Sequence, residues 1–416
     1  MENGFDLLQL VIEDFTNVSK RIDTPVVQMT FGDYVRGGGK YSQSIISRVG
    51  GLKTIKSILF SNKDPSDLAV FQELRRINRE NLKLERTLGT TELFFTKLKN
   101  SIGELPIVKI KPYKTKKKHK KISRTLNLVL SDLHFGSDLN IKEHGHNYGK
   151  VEEARALAAV IKNVLEYKLQ YRDETELVIN ILGDIIQNEL HGRTSADLLH
   201  SQTCRAIWLL THAIGLCAQS FRKVTVNMVT GNHGRDMFIH QNRANSLKFN
   251  SIETTIYYAI KNAFRNVLNV TFNQPLSAWI TYEAQGHKMY ATHGDTHLNP
   301  GNPGKSVDID RVQNNINKIN ASLKDTDEYK VFICGHVHLP LVTNLPNGAY
   351  LVINGALTPP DSYAQSLNIL ESKQVQVLFE TTSEYPVGDF RFIDASQSYN
   401  NPELDKIIPP FKDIDF

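Results

Sequence analysis

Five short clusters of lone-pair-bearing residues lie between positions 132 and 338, and each follows an apolar run. Asp132 and His134 follow LNLVLS (126–131), and Gly183-Asp184 follows ELVINIL (176–182). Gly231-Asn232-His233 comes after KVTVNMV (223–229), His293-Gly294-Asp295 after the run at 287–292, and Gly335-His336-Val337-His338 after the run at 329–334. Imidazole mixed with carboxylate suits Mn, Fe, Zn or Ni, whereas a purely oxygen set would suit Mg or Ca. A pair of such cations sits roughly 3.5–4 Å apart across a bridging group, activates water and clamps phosphoryl oxygens. Asp184 is the natural bridging carboxylate, since its loop stands between two His-rich ones. One Asp-x-His or Gly-Asp arises by chance; five clusters in this order, each past a strand-like run, do not.

The elements that must position them alternate in type. Short apolar runs of this kind read as buried strands, and VEEARALAAVIKNVLEYKL (151–169) repeats its apolar residues at helical spacing. Further helices are expected over 203–221 and about 250–265, and strand-like runs recur at 268–273, 278–283, 287–292, 329–334, 349–354 and 374–380. Parallel β-α-β units passing into antiparallel hairpins predict an α/β sandwich. Open α/β sheets bind ligands at the carboxyl ends of their strands, so the five loops should converge. Their glycines allow the backbone to turn tightly there.

The series D-x-H, GD, GNH, H-G, G-H-x-H resembles the calcineurin-like metallophosphoesterase superfamily over about 125–380. The resemblance implies a metallophosphoesterase β-sandwich flanked by helices and hydrolysis of phosphomonoesters or phosphodiesters. It implies two divalent metal ions, with Mn2+ expected first and Fe, Zn, Ni or Mg as alternatives. One would be held by Asp132, His134, Asp184 and His338, and the second by Asp184, Asn232, His293 and His336. His233 matches the family's catalytic histidine, which contacts the scissile phosphate and stabilises the transition state or protonates the leaving oxygen. Arg235 is placed to bind the phosphate through its planar fork. The family usually has an acid directly after the GNH histidine, where this chain has Gly234. That acid orients the imidazole, and Asp236 or Asp295 is the expected substitute.

Other residues are candidates for the substrate pocket. Glu189, His191 and Arg193 follow Asp184 in NELHGR, and His297 lies four after His293. Lys305, in Asn302-Pro303-Gly304-Lys305-Ser306, would approach a phosphate, although its spacing is not that of a Walker motif. Cys334 is expected to pack within its strand.

The rest of the chain has a different character. Residues 1–124 hold 24 Lys and Arg against 13 Asp and Glu, while the whole chain of 416 residues is only +5. Separate charge balances suggest separate roles. Residues 1–60 read as short helices, and YSQSIISRVGGLKTIKSILF (41–60) as helix, Gly-Gly turn, helix. That segment resembles a small helix-turn-helix, and its RVGGLKTI phrase resembles short DNA-binding repeats found beside some nucleases; an ordinary helical hairpin is the alternative. A long helical pattern with an apolar stripe runs over 66–99. Lys109 to Arg124 then holds nine basic residues and no acid, as a solvated linker or as an arm that neutralises nucleic-acid phosphates. Four segments are expected: a helical N-terminal region (1–108), the basic linker or arm (109–124), a catalytic domain (125–384) and an irregular C-terminal tail (385–416).

At 40% apolar and 22% charged residues the chain reads as an ordinary globular protein of two or three domains. Its three cysteines form no CxxC pair, which argues against a disulfide framework or thiolate zinc and suits a reducing cytoplasm, in a host cell if the chain is phage-encoded. The acidic start lacks the basic region of a signal peptide, and no run reaches the ~18 apolar residues of a membrane span. Nucleic acid, met through residues 1–124, is the expected partner, with no membrane. The leading expectation is a DNA nuclease or phosphodiesterase, resembling loosely the phage-type DNA-repair exonucleases of the superfamily. A phosphoesterase for cyclic nucleotides or other small molecules is the alternative, and a non-enzymatic scaffold of a replication or repair complex a third reading.

Overall fold

The computed structural model describes residues 4–26, 28–49, 51–61, 96, 100, 102–103, 105, 108–111, 113–114, 121–145, 147–171, 174–188, 197–235, 251–303, 306–323, 327–361, 364–365 and 373–412. The chain divides into two compact units, Met1–Thr96 and Lys97–Phe416.

The first unit is helical where described. Helix α1 (Gly4–Arg21) places Val11, Phe15 and Val18 on one side at i, i+4 and i+7. Helix α2 (Phe31–Arg36) opens with a capping box, Thr30 accepting from the Asp33 amide while Asp33 accepts from that of Thr30. Tyr34 stacks on Phe15 with ring centroids 3.9 Å apart, and its hydroxyl donates to buried Asp14. Helices α3 (Gln43–Arg48) and α4 (Leu52–Ser61) follow, and Ile46, Val49 and Ile55 close the same apolar core. Most of the helix expected over 66–99 lies outside the described residues.

The second unit is built on two sheets. Strands β1 (Arg124–Leu130), β2 (Thr175–Ile181), β3 (Val224–Met228) and β4 (Val270–Asn273) run parallel. β10 (Val375–Thr382) and β11 (Phe390–Asp394) extend that sheet antiparallel beyond β1, giving the order β11-β10-β1-β2-β3-β4. The second sheet, ordered β5-β6-β7-β9-β8, contains β5 (Trp279–Ala284), β6 (His287–Thr292), β7 (Val331–Cys334), β8 (Leu341–Asn344) and β9 (Tyr350–Ile353). Strands β6, β7 and β9 are parallel to one another. This is the expected sandwich flanked by helices.

Side chains alternate across each strand, so β1 supplies two cores. A short helix α5 (Ile141–His144) precedes three long ones. Leu126, Leu128 and Leu130 pack under α6 (Lys150–Tyr171), α7 (Leu199–Ser220) and α8 (Ile252–Ala263), while Val129 points between the sheets toward Met289, Ala291, Val331 and Ile333. Burial on both faces is why these strands read as mainly apolar runs. Each such side chain contributes roughly 1.5–3 kcal/mol through the area it removes from water. The outer face of the second sheet is covered by α9 (Ile309–Asn320), through Val312 and Ile316.

One polar chain crosses the interior. Asn273 donates to Asn227, Asn227 to Asn180, Asn180 to the Tyr282 hydroxyl, and that hydroxyl to Asn127, all at 2.9–3.0 Å. Asn127 then donates to Thr381 at 3.0 Å. Five strands of the first sheet (β4, β3, β2, β1 and β10) and β5 of the second are thereby joined by hydrogen bonds.

The expectation of an irregular tail from about 385 needs correction. Residues 390–394 form edge strand β11, and Pro402–Lys406 form a 3-10 helix. Arg155 of α6 holds that turn with a two-pronged bond to Asp405 (2.8 and 2.9 Å) and a third bond to the Tyr399 carbonyl. The alternation in this segment is too short to be recognised without its pairing to β10.

Candidate metal centre

The ends of five parallel strands meet at one place. Asp132 and His134 stand past β1, Asp184 past β2, Asn232 and His233 past β3, His293 past β6, and His336 and His338 past β7. Candidate ligand atoms gather in three overlapping groups, each within 4.8 Å: Asp132-His134-His338, His134-Asp184-His233 and Asp184-His293-His336. Asn232 joins the last through its Oδ1, 3.0 Å from His293 Nε2.

The local backbone is what aims these side chains. Asp132, His134, Asp184, His336 and His338 all have φ between 46° and 74°, in the left-handed region that non-glycine residues rarely enter. Glycine is required at two close approaches. A Cβ on Gly183 would lie 2.1 Å from the Gly231 nitrogen, and one on Gly335 would lie 2.4 Å from an Asp132 carboxylate oxygen.

The donor set fits cations. His293 Nδ1 donates to the Leu182 carbonyl at 2.8 Å, which leaves the lone pair on Nε2. That nitrogen faces Asn232 Oδ1 at 3.0 Å, Asp184 Oδ2 at 3.2 Å and His336 Nδ1 at 3.2 Å. On the other side, His134 Nε2 and His338 Nε2 are 3.4 Å apart, and His338 Nε2 lies 3.4 Å from Asp132 Oδ1. Several acceptors converging on one another in a buried site call for a positive charge between them.

Electrostatics agree. Burial resists charge on both carboxylates, yet His338 beside Asp132, and His293 and His233 beside Asp184, hold their pKa values below the usual carboxylate range. Burial likewise opposes a proton on His293, but Asp184 lifts it to about 9; burial and the His293 charge push His336 down to about 4. Without a cation the cluster keeps a proton on one imidazole, and divalent ions would take over that role.

His233 and Arg235 line the same centre. The His233 ring meets His134 edge-on at 4.5 Å, and its Nδ1 donates to the Gln187 carbonyl at 2.6 Å. Its orienting partner is therefore a backbone oxygen. Asp295 instead pairs with Arg235 at 2.9 Å, and Asp236 lies outside the described residues. Gly234 has no room for a side chain: a Cβ would stand 2.4 Å from Ser251 Oγ and 2.6 Å from Glu253 Cγ.

Of the pocket candidates, His191, Arg193, Glu189 and Lys305 lie outside the described residues. His297 Nδ1 is hydrogen-bonded with the Tyr290 hydroxyl at 2.8 Å, and its ring packs on Trp279 at 4.6 Å. Cys334 is buried in β7, where burial pushes its thiol well up.

Sequence reasoning missed three supports. Gln187 supplies the carbonyl that holds His233. Asn188, at φ 52°, donates through its side chain to the carbonyls of His233 and Arg235 at 2.6 and 3.3 Å. Glu253 accepts from the amides of Ile185 and Gly231, both at 2.7 Å, and so spans the Asp184 and Asn232 loops. Burial and Asp184 raise the Glu253 carboxyl to about 7. A lone acid at a helix start, and the two amides Gln187, just before NELHGR, and Asn188, at its head, carry no signal of such roles in one sequence. Beneath them, fully buried Arg205 joins Glu153 (2.6 Å) and Asp197 (2.9 Å), and Glu153 accepts from the Gly136 amide in the loop after β1.

No family model matches this chain, and no curated protein matches it. Solved structures similar to it include a dimetal phosphatase from Danio rerio, 12% identical, covering 67% of this chain and 100% of that one with a TM-score of 0.32. Others are the calcineurin-like phosphoesterase YfkN from Bacillus subtilis (12%, 69% and 96%, TM-score 0.31) and a conserved uncharacterized protein, a predicted phosphoesterase, from Streptococcus pneumoniae TIGR4 (14%, 65% and 98%, TM-score 0.26). Calcineurin-like phosphoesterases, which the five motifs resemble, are thus among the solved structures similar to this chain. At such identities the chemistry has to be read from the site's own residues.

Proposed function

We propose that the chain hydrolyses phosphodiester bonds, with DNA as its substrate and two divalent cations, Mn2+ first among them, as cofactors. The observation that carries this reading is the position of Asp184, whose carboxylate belongs both with His134 and His233 and with His293 and His336. One cation would be held by Asp132, His134, Asp184 and His338, the other by Asp184, Asn232, His293 and His336. Cations so held supply an activated water and a clamp on the phosphoryl oxygens.

The protein's own groups do the rest. His233, fixed as the Nδ1–H tautomer by Gln187, turns its other ring nitrogen to proton transfer at the leaving oxygen. Arg235, held from one side by Asp295, offers its remaining guanidinium N–H groups to the phosphate. Buried walls around the centre strengthen each of these charge interactions. Support for DNA as substrate comes from the 24 basic against 13 acidic residues in positions 1–124.

The test is hydrolysis with Mn2+ of single-stranded, double-stranded and circular DNA, beside bis-p-nitrophenyl phosphate. DNA cleavage should need residues 1–124 and fall steeply with salt. Cleavage of the small diester or of cyclic nucleotides, with DNA left intact at low salt, would favour the small-molecule reading. No hydrolysis of any of them with both cations bound would leave the scaffold reading.

A further inference from the structure

We propose that α3 and α4 form a docking surface for double-stranded DNA, with α4 lying in the groove. The proposal rests on the nucleic-acid reading above and adds the element that makes the contact. Three observations converge on it.

The first is the connection. Helices α3 and α4 are joined by three residues, Val49, Gly50 and Gly51. Gly51 has φ +79°, and a Cβ there would meet nothing within 4 Å, so backbone conformation rather than crowding demands the glycine. Two helices on a short glycine-containing turn are the geometry by which many proteins present a second helix to a DNA groove.

The second is the division of faces. Ile46 and Val49 of the α3 end and Leu52, Ile55 and Leu59 of α4 pack into the unit's core with Phe15 and Tyr34. The pair is thereby fixed on a folded base. Exposed Lys53 lies off that packed face, and half-buried Lys56, three residues on, flanks its edge, so that both ammonium groups border the same side of α4. Exposed Ser44 and Ser47 on α3 are short enough for a close approach to a phosphate backbone. A ten-residue helix is about 15 Å long and 10–12 Å across, which suits a major groove about 12 Å wide.

The third is charge. Between Asp33 and Asp64 the sequence holds six basic residues, Arg36, Lys40, Arg48, Lys53, Lys56 and Lys63, and no acid. A hairpin that served only its own core would tolerate carboxylates on its wet side. Their complete exclusion over 30 residues suits a polyanion. The uniform line of phosphates on duplex DNA is the polyanion that a straight helix can follow.

The experiment uses the full chain in EDTA, so that binding is read without cleavage. Fluorescence anisotropy follows a labelled ~20-bp DNA duplex, the single strand and an RNA duplex of the same sequence, across a salt series. Compared with wild type are Lys53→Gln/Lys56→Gln, the charge-preserving Lys53→Arg/Lys56→Arg, and a control in the lysine run, Lys116→Gln/Lys117→Gln/Lys118→Gln. The glutamine pair should weaken duplex binding at least tenfold at 0.1 M salt and lower the salt slope by about 2, while the arginine pair restores both. Restoration also shows that the loss is not one of folding. Unchanged duplex binding in the glutamine pair, or equal affinity for the RNA duplex or single strand, would overturn the proposal. Hydrolysis of bis-p-nitrophenyl phosphate with Mn2+ reads the catalytic reading separately. Its absence beside intact duplex binding would sink that reading and leave this one standing.

Discussion

The side-chain nitrogen of Asn188 donates to the carbonyl oxygen of His233 at 2.6 Å and reaches that of Arg235 at 3.3 Å. It pins the backbone on both sides of Gly234, the segment that carries the two residues assigned to the phosphate. Asn188→Ala should leave two cations bound per chain by elemental analysis and lower kcat about 10- to 100-fold, the effect of losing a residue that orients a catalytic group. An unchanged kcat would remove Asn188 from that role.

His233→Ala tests the proton-transfer step. Turnover of bis-p-nitrophenyl phosphate should fall about 10²- to 10⁴-fold, the usual contribution of a positioned acid or base. Bound metal should stay at the wild-type level, because all seven assigned ligands remain. Loss of metal along with activity would make His233 a ligand rather than an acid.

Asp184 and His336 differ in how many groups they join, so their variants should differ in stoichiometry. Asp184→Ala should bind neither cation firmly, whereas His336→Ala should lose one and keep the other. Mass spectrometry of the native holoprotein counts them directly. Equal loss in both variants would contradict the assignment of Asp184 as the shared ligand.

Glu253 makes stability depend on pH in a stated direction. Its carboxyl is raised to about 7 by burial and by Asp184, against an ordinary 4.5. The folded chain therefore holds that proton over a range where the unfolded chain has released it, and stability falls as pH rises from about 4.5 to 7. The whole contribution is roughly 3 kcal/mol at most. Thermal melts of the metal-free protein at pH 5 and 7.5, wild type beside Glu253→Gln, isolate it. The wild type should lose more stability than the variant between the two pH values. Parallel losses would show that the carboxyl titrates normally.

Tyr282→Phe breaks the polar chain between the sheets, leaving the Asn180 amide without its acceptor and Asn127 Oδ1 without its donor. Burial makes each loss expensive, about 1–3 kcal/mol per stranded group. Urea unfolding should move to a lower midpoint with an unchanged slope.

The centre was legible where residue type and strand position coincide. His293 and Asp184 each follow a strand-like stretch, and side-chain burial on both faces over most of β2 and the second half of β6 is what makes those stretches mainly apolar. Supports made through backbone atoms left no such trace. The Gln187 carbonyl that orients His233 would be the same with nearly any side chain at that position. Glu253 looked like an ordinary acid in the first turn of a helix, because nothing in its neighbours discloses that the turn is buried under Gly231. Helix α9 escaped notice because Ile309, Val312, Ile316 and Ile319 sit among asparagines. Strand β11 escaped because its partner lies across a turn rather than within its own alternation.

Five of the assigned ligands stand on left-handed backbone, a conformation that costs an ordinary residue roughly 1–2 kcal/mol. The resting chain is thus held in a frame that only glycine would occupy without loss, and cations held there would offset what the peptide gives up. Chelation should do more than silence the enzyme. It should release a taut scaffold, so that heat tolerance tracks metal supply and a metal-starved cell would hold a softer, more easily digested form of the protein.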